Sequence, residues 1–417
     1  MNAQRLQLIS SAVLATLLVS CNAGPALQAA GPAAANRTPV QDNTAGTFDA
    51  KGNSQIQLMV TVRNAAELKA LQANAKKLGF TVTKSWPQIN AASLRLDKFG
   101  AVGTLSTTLK DDFGVLTAQP AGRIVLEAEP NDPELGNQYG MQLMNVVKAW
   151  ETQPGKAAVK IAMIDTGIDL THPDLKDKIV EGYNATAPGQ SVADDNGHGS
   201  HTAGIAAAAV NNGAGVIGVG GGCSIMPVKV LSNGGGSEES IADGVIWAAD
   251  HGANVMSMSI GLYKRSPVFE KALQYALDKG VTLVASAGNS NKENDPTTAP
   301  HLPSTYPGVI EVAATDANDK KASFSNFGKT VSVAAPGVDV LSTYMGGIYK
   351  KLSGTSMACP HVAGLAGLVI SQNPGIKPAA VKSIIERSAK DFGAAGFDPI
   401  FGFGRADAAK AVATTRR

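Results

Sequence analysis

Five runs of apolar, β-forming residues, at 159–164, 225–231, 254–260, 281–286 and 309–314, are separated by stretches with helical spacing. Each run is apolar on both faces, as a strand covered on both sides must be, and an intervening helix lets the next strand run in the same direction. The pattern predicts an α/β fold, a three-layer arrangement with a central parallel sheet and helices on both faces, over residues 131–417. Ligands of such sheets bind beyond the carboxyl ends of the strands. Polar residues at those ends are therefore where chemistry is sought.

The chain opens differently. Arg5 is followed by an apolar run over 6–19 that stops at Leu18-Val19-Ser20-Cys21. Residues 1–21 read as an export signal, too short to span a membrane. Its last four residues resemble a bacterial lipobox, in which the cysteine, here Cys21, is lipidated and becomes the mature N-terminus. The other reading is an ordinary secretory signal cut near Ala29 and Ala30 without an anchor. Either implies a secreted, extracellular protein or a cell-envelope lipoprotein, touching membrane only through the lipid. Residues 22–54, rich in Ala, Gly, Pro, Asn and Thr without periodicity, read as a flexible linker.

Residues 55–128 form a second, small domain. A strand is expected over 56–62, a helix over 65–78 with Leu68, Leu71, Ala75 and Leu78 on one face, and further strands near 91–96 and 123–126. That length suits a βαββαβ unit, a small α+β ferredoxin-like domain. It carries no clustered His, Cys or acidic residues.

Composition narrows the partners. Lysine plus arginine less aspartate plus glutamate is 36 − 34 = +2, too little for a nucleic-acid footprint. Three cysteines exclude a disulfide framework and any four-cysteine metal site. Cys223 and Cys359 read as small free core residues rather than a bridge.

Three dispersed motifs hold the polar residues. The run 159–164 ends in Asp165-Thr166-Gly167, where an aspartate alone could be a structural cap. Asn196-Gly197-His198-Gly199-Ser200-His201 opens an alanine-rich helix reaching about residue 210; its two histidines could ligate metal, but they lack the glutamate and third ligand of a zinc helix. Ser356, in Gly354-Thr355-Ser356-Met357-Ala358, stands just before an apolar helix over 362–371, where a serine is commonly only a cap. Together the three have a chemistry that none has singly. A serine hydroxyl becomes nucleophilic when a histidine takes its proton, and a buried carboxylate holds that histidine in the working tautomer.

The order Asp, His, Ser and the motif blocks 164–169, 197–201 and 354–358 resemble the subtilisin-like serine proteases, nearest their thermitase branch, from about residue 130 to the closing Gly404-Arg405-Ala406-Asp407-Ala408. The resemblance implies Ser356 as nucleophile, His198 as general base and then acid, Asp165 as orienting carboxylate, and His201 as a helix residue outside catalysis. It makes Asn289, in Ala287-Gly288-Asn289-Ser290, an oxyanion donor beside the Ser356 N–H. Ser259, Ile260 and Gly261 would form one edge of a cleft for an extended peptide, and Gly234 and Gly235 the opposite rim. His301 falls at the floor of the primary specificity pocket, where it is expected to add tolerance for polar or acidic side chains.

The resemblance also implies a structural calcium ion (Ca2+) held by Asp132, Asp174, Val210, Asn212, Ala214 and Val216, whose loop supplies alternate carbonyls. Asp194-Asp195-Asn196 is not taken as a second cation site, because the loop before it departs from the thermitase pattern. The small domain resembles an inhibitory propeptide that assists folding, cut between Glu127 and Gln138. The expected protein is a monomeric serine endopeptidase of broad specificity, acting on proteins and peptides and restrained by its own propeptide. A non-catalytic surface lipoprotein and a metal-dependent hydrolase using His198 and His201 are the competing readings.

Overall fold

The computed structural model describes residues 53–97, 109, 114–122, 130–233 and 235–415. The signal at 1–21 with Cys21, nearly all of the linker, the strand expected over 123–126 and Gly234 lie outside the described residues. The chain divides into two compact units, Met1–Glu127 and Ala128–Arg417.

In the first unit, strands β1 (Asn53–Val62), β2 (Phe80–Trp86), β3 (Ala91–Leu96) and β4 (Val115–Gly122) form a sheet in the order β2-β3-β1-β4. Every neighbouring pair is antiparallel. Helix α1 (Ala65–Asn74) starts where the Asn64 side chain accepts the Glu67 N–H at 3.0 Å, satisfying one of the free donors of the first turn. Leu68 and Leu71 bury against Leu58, Val60, Phe80 and Leu94. The α-helix is shorter than its apolar spacing predicts, tightening at Ala75–Leu78 into a 3₁₀ turn that Gly79 closes at φ 75°.

The second unit is built on β5 (Lys160–Asp165), β6 (Tyr183–Asn184), β7 (Ser224–Lys229), β8 (Val255–Met258), β9 (Thr282–Ser286), β10 (Glu293–Asn294), β11 (Ile310–Thr315), β12 (Phe327–Gly328) and β13 (Val331–Pro336). Seven of these form a sheet ordered β13-β11-β9-β8-β5-β7-β6, parallel throughout. The chain enters at β5, builds to one side through β7, then crosses to β8 and builds to the other. Loops therefore diverge at the carboxyl ends of β5 and β8 and leave a crevice there.

Strand alternation distributes the core. Ile161 and Met163 of β5 join the cluster containing Ala203, Ala206, Val362 and Leu365, while Ala162 and Ile164 join Val245, Phe269 and Leu273 on the opposite face. The helices are α2 (Tyr139–Leu143), α3 (Val146–Trp150), α4 (His198–Ala207), α5 (Glu238–Asp250), α6 (Pro267–Asp278), α7 (Thr355–Gln372), α8 (Pro378–Ser388) and α9 (Ala408–Thr415). Helices α5 and α6 cover one face; α4 and α7 lie on the other. Helix α7 is buried nearly all round, consistent with its apolar composition. An antiparallel hairpin, β14 (Val340–Tyr344) and β15 (Ile348–Leu352), packs against α4. Among the described residues no helix is long and apolar enough to cross a membrane. Cys223 and Cys359 are both free and buried.

Candidate active site

Asp165 is the last residue of β5, and its position leaves the carboxylate at the crevice but only 1% exposed. Oδ1 accepts the Thr166 N–H at 2.8 Å and lies 2.7 Å from His198 Nδ1; Oδ2 accepts the Thr202 hydroxyl at 3.1 Å. A carboxylate so placed leaves Nδ1 protonated and Nε2 free to accept. Burial opposes charge on His198, but Asp165 outweighs it and raises the imidazole above its ordinary range.

His198 is the first residue of α4, and the start of that helix is fixed by Asp194. Its Oδ1 accepts the N–H groups of Asn196 and Gly197, and its Oδ2 accepts the N–H and hydroxyl of Ser200. Asp194 also accepts the Thr166 hydroxyl at 2.8 Å, tying the helix start to the end of β5. Asp195 turns outward to Lys229, 3.0 Å away, and to the Ser232 hydroxyl and Asn233 N–H, anchoring the rim loop. The acidic pair thus holds the two sides of the crevice.

Ser356 is the second residue of α7, so the helix begins seven residues earlier than its apolar pattern predicts. Pro360, the apparent barrier, sits one turn in and has no N–H to give to the Ser356 carbonyl. That carbonyl instead accepts the Ser259 hydroxyl at 2.9 Å, and the Ser356 hydroxyl donates to the Ser259 carbonyl at 3.5 Å. The residue after β8 and the start of α7 are thereby joined directly.

Asn289 follows β9 by three residues. Its Oδ1 accepts both the N–H and the hydroxyl of Thr355 at 2.8 Å, which leaves Nδ2 as the donor end. A Cβ placed on Gly354 would lie 3.5 Å from Asn289 Nδ2 and 3.6 Å from Ser356 N, so both groups border one small space. A cleft of about 540 Å³ is lined by His198, Ser259, Ile260 and Gly261 on one side and Gly235 and Gly236 on the other.

The remaining predicted residues are not among those lining this cleft. His301 is 2% exposed, beneath Gly261 and Gly288, and burial pushes it down to about 4. His201 is fully buried, its Nε2 donating to the Lys350 carbonyl at 2.8 Å. Asp132 and Asp174 are buried at the loop that carries Val210, Asn212, Ala214 and Val216. Asp174 accepts the Asn212 amide at 2.8 Å and the Val216 N–H at 2.9 Å; Asp132 Oδ2 accepts the Asn211 N–H at 2.9 Å. Asp132 Oδ1 is buried with no hydrogen-bond partner. Burial, with Asp174 nearby, raises the Asp132 carboxyl above its ordinary range. A buried acidic pair with an unmet oxygen fits a cation.

Sequence reasoning missed Thr166, Thr202, Thr355 and Asp194, which orient the groups it found. Each stands within six residues of a motif residue, and that adjacency was the available signal.

The matched profile is that of the Subtilase family, over residues 156–404, and the chain belongs to this family. It is a subtilisin-like serine endopeptidase of thermitase type. It is 44% identical over 285 residues to "Thermitase" of Thermoactinomyces vulgaris, covering 68% of this chain and 99% of that protein. It is 38% identical over 364 residues to "Thermophilic serine proteinase" of Bacillus sp. (strain AK1), covering 87% of each. A solved protease from Pseudoalteromonas arctica superposes with a TM-score of 0.63 at 33% identity, covering 69% of this chain and 100% of that one.

Proposed function

We propose that this protein is an exported endopeptidase of broad specificity that works through Asp165, His198 and Ser356 and is made as an autoinhibited precursor. The observation that carries the reading is the buried Asp165 carboxylate 2.7 Å from Nδ1 of His198, which lines the cleft together with Ser259, the residue hydrogen-bonded to Ser356.

Ser356 Oγ attacks the carbonyl carbon of the scissile bond while His198 Nε2 takes its proton. The imidazolium formed is stabilised by Asp165 through Nδ1–H. Charge developing on the carbonyl oxygen meets Asn289 Nδ2 and the Ser356 N–H, the latter at a helix start where the backbone dipole favours an anion. His198 then protonates the departing amine, and the acyl group on Ser356 is hydrolysed by water through the same steps reversed. Away from the residue whose carbonyl is attacked, specificity is broad because the segment 259–261 would hold an extended peptide mainly through its backbone.

Asp132, Asp174, Asn212 and the carbonyls of Val210, Ala214 and Val216 would hold calcium, which supplies a countercharge to the acidic pair and fastens the loop. Residues 55–128 act as propeptide, Cys21 as lipid anchor, and the protein as a monomer. A fluorophosphonate probe should add one label to the purified protein and none to Ser356→Ala. Equal labelling of both would sink the catalytic reading. N-terminal sequencing should find a start between Glu127 and Gln138; a fully active uncut chain would remove the propeptide assignment.

A further inference from the structure

Ser259 is hydrogen-bonded to Ser356 and Asn289 to Thr355, so the segments 259–261 and 287–289, which follow the paired strands β8 and β9, stand on either side of Ser356, and the space between them is where the side chain of the attacked residue would enter. His301 occupies the end of that gap. A Cβ on Gly261 would collide with its Nε2, and one on Gly288 would come within 3.0 Å of the same nitrogen. The Tyr263 ring packs on the imidazole at 4.6 Å, inclined by 63°, and closes one side.

Which ring nitrogen carries the proton follows from a relay that starts at backbone. The N–H groups of Ser290 and Lys292 can only donate, and both point at Asn326 Oδ1, at 2.9 and 3.1 Å. Asn326 Nδ2 therefore donates to Asn294 Oδ1 at 3.0 Å. Asn294 Nδ2 in turn donates to Glu311 Oε1 at 2.6 Å, making that oxygen an acceptor. The Ser304 hydroxyl has two oxygen acceptors, Glu311 Oε1 and the His301 carbonyl, each at 3.0 Å, and giving its one proton to either turns its lone pair to His301 Nδ1, also at 3.0 Å. Nδ1 must hold the proton, and Nε2 is left with a bare lone pair.

Resting on the endopeptidase reading, we propose that His301 shortens the primary side-chain slot and ends it in a hydrogen-bond acceptor. The enzyme then selects compact side chains that carry a donor, Asn, Ser and Thr, over apolar side chains of the same size and over acids. The expected tolerance for polar groups is kept, while tolerance for acids gives way to exclusion, since a carboxylate would face a lone pair. Large aromatic side chains are excluded by length.

The test is a set of peptides differing only at that residue, as Asn, Leu, Asp or Phe, with kcat/KM measured for the wild-type protein and for His301→Gly. Wild type should prefer Asn over Leu by about tenfold, the scale of one net hydrogen bond, and over Asp by more. In His301→Gly the Asn preference should vanish and Phe should gain at least tenfold relative to Asn. Wild-type preference for Phe over Asn, or an unchanged profile in the variant, overturns the proposal. As a check independent of that variant, ¹⁵N-histidine spectra of Ser356→Ala at neutral pH should show His301 protonated at Nδ1; protonation at Nε2 also overturns it. Failure of the endopeptidase reading would show itself differently, as absence of any Ser356-dependent hydrolysis.

Discussion

Acidification from pH 7 to 4.5 should destabilise this fold through three buried histidine rings outside the Asp165, His198, Ser356 set. His201, His301 and His361 are 0%, 2% and 1% exposed, and burial pushes each down to about 4. Unfolded, each returns to about 6.5. A base whose folded pKa is depressed is protonated first in the unfolded chain, so stability falls as pH drops through the window from 6.5 to 4. At pH 4.5 the imbalance is about two pH units per ring, or roughly 2–3 kcal/mol each at 1.36 kcal/mol per unit. Three rings give a ceiling of roughly 8 kcal/mol, comparable with the whole stability of a domain, about 5–15 kcal/mol. His198 runs the other way: its raised value contributes stability that is complete below 6.5 and is lost only as pH rises through the folded value. Asp132 and Glu311, raised by burial, return part of the loss as they become neutral. Denaturant unfolding of Ser356→Ala, which cannot digest itself, should show stability falling steeply below pH 6. His361→Gln keeps a donor for the Met357 carbonyl, which the Nδ1 now meets at 2.8 Å, and should lose about a third of the slope, one proton in three. Constant stability from pH 7 to 5, or an unchanged slope in His361→Gln, would refute the reasoning.

Asp165→Asn should lower kcat by about 10⁴, as carboxylate removal does in related and convergent triads, and should move the acid limb of the kcat/KM profile to lower pH, because His198 loses the group that raises it. Asn289→Ala should cost about 10²–10³ in kcat with little change in KM, the size found for this donor in subtilisin, a member of the same family; a change confined to KM would argue against an oxyanion role. Chelation should lower the Tm of Ser356→Ala, by an amount corresponding to about 3 kcal/mol at a hundredfold excess of ion over Kd, and Asp132→Asn should remove that response; calorimetry reads both.

The sheet was legible because burial on both faces leaves an apolar run that no surface strand shows, and the five expected strands lie within two residues of those formed. Strand β13 was not anticipated: Val331-Ser332-Val333 alternates like a half-exposed strand, yet Ser332 is 2% exposed. The start of α7 was hidden by Pro360, whose missing bond becomes harmless only once Ser259 lies alongside. The motif residues could be picked out because their chemistry needs rare combinations in fixed local surroundings. What positions them could not, since Thr355 to Asn289 and Ser304 to Glu311 are pairings made by the fold rather than by spacing. Glu311, alone in an apolar strand, reads as a partly exposed residue until its partners surround it.

Residues 287–292 serve two masters. Asn289 reaches the space beside Ser356, while the N–H groups of Ser290 and Lys292, through Asn326, decide which way the His301 ring is wired. Speed and choosiness are thus geared to a single stretch of backbone. Lineages descending from this chain would be expected to retune selectivity by replacing His301 itself, because any adjustment made further up the relay is felt at the reaction centre too.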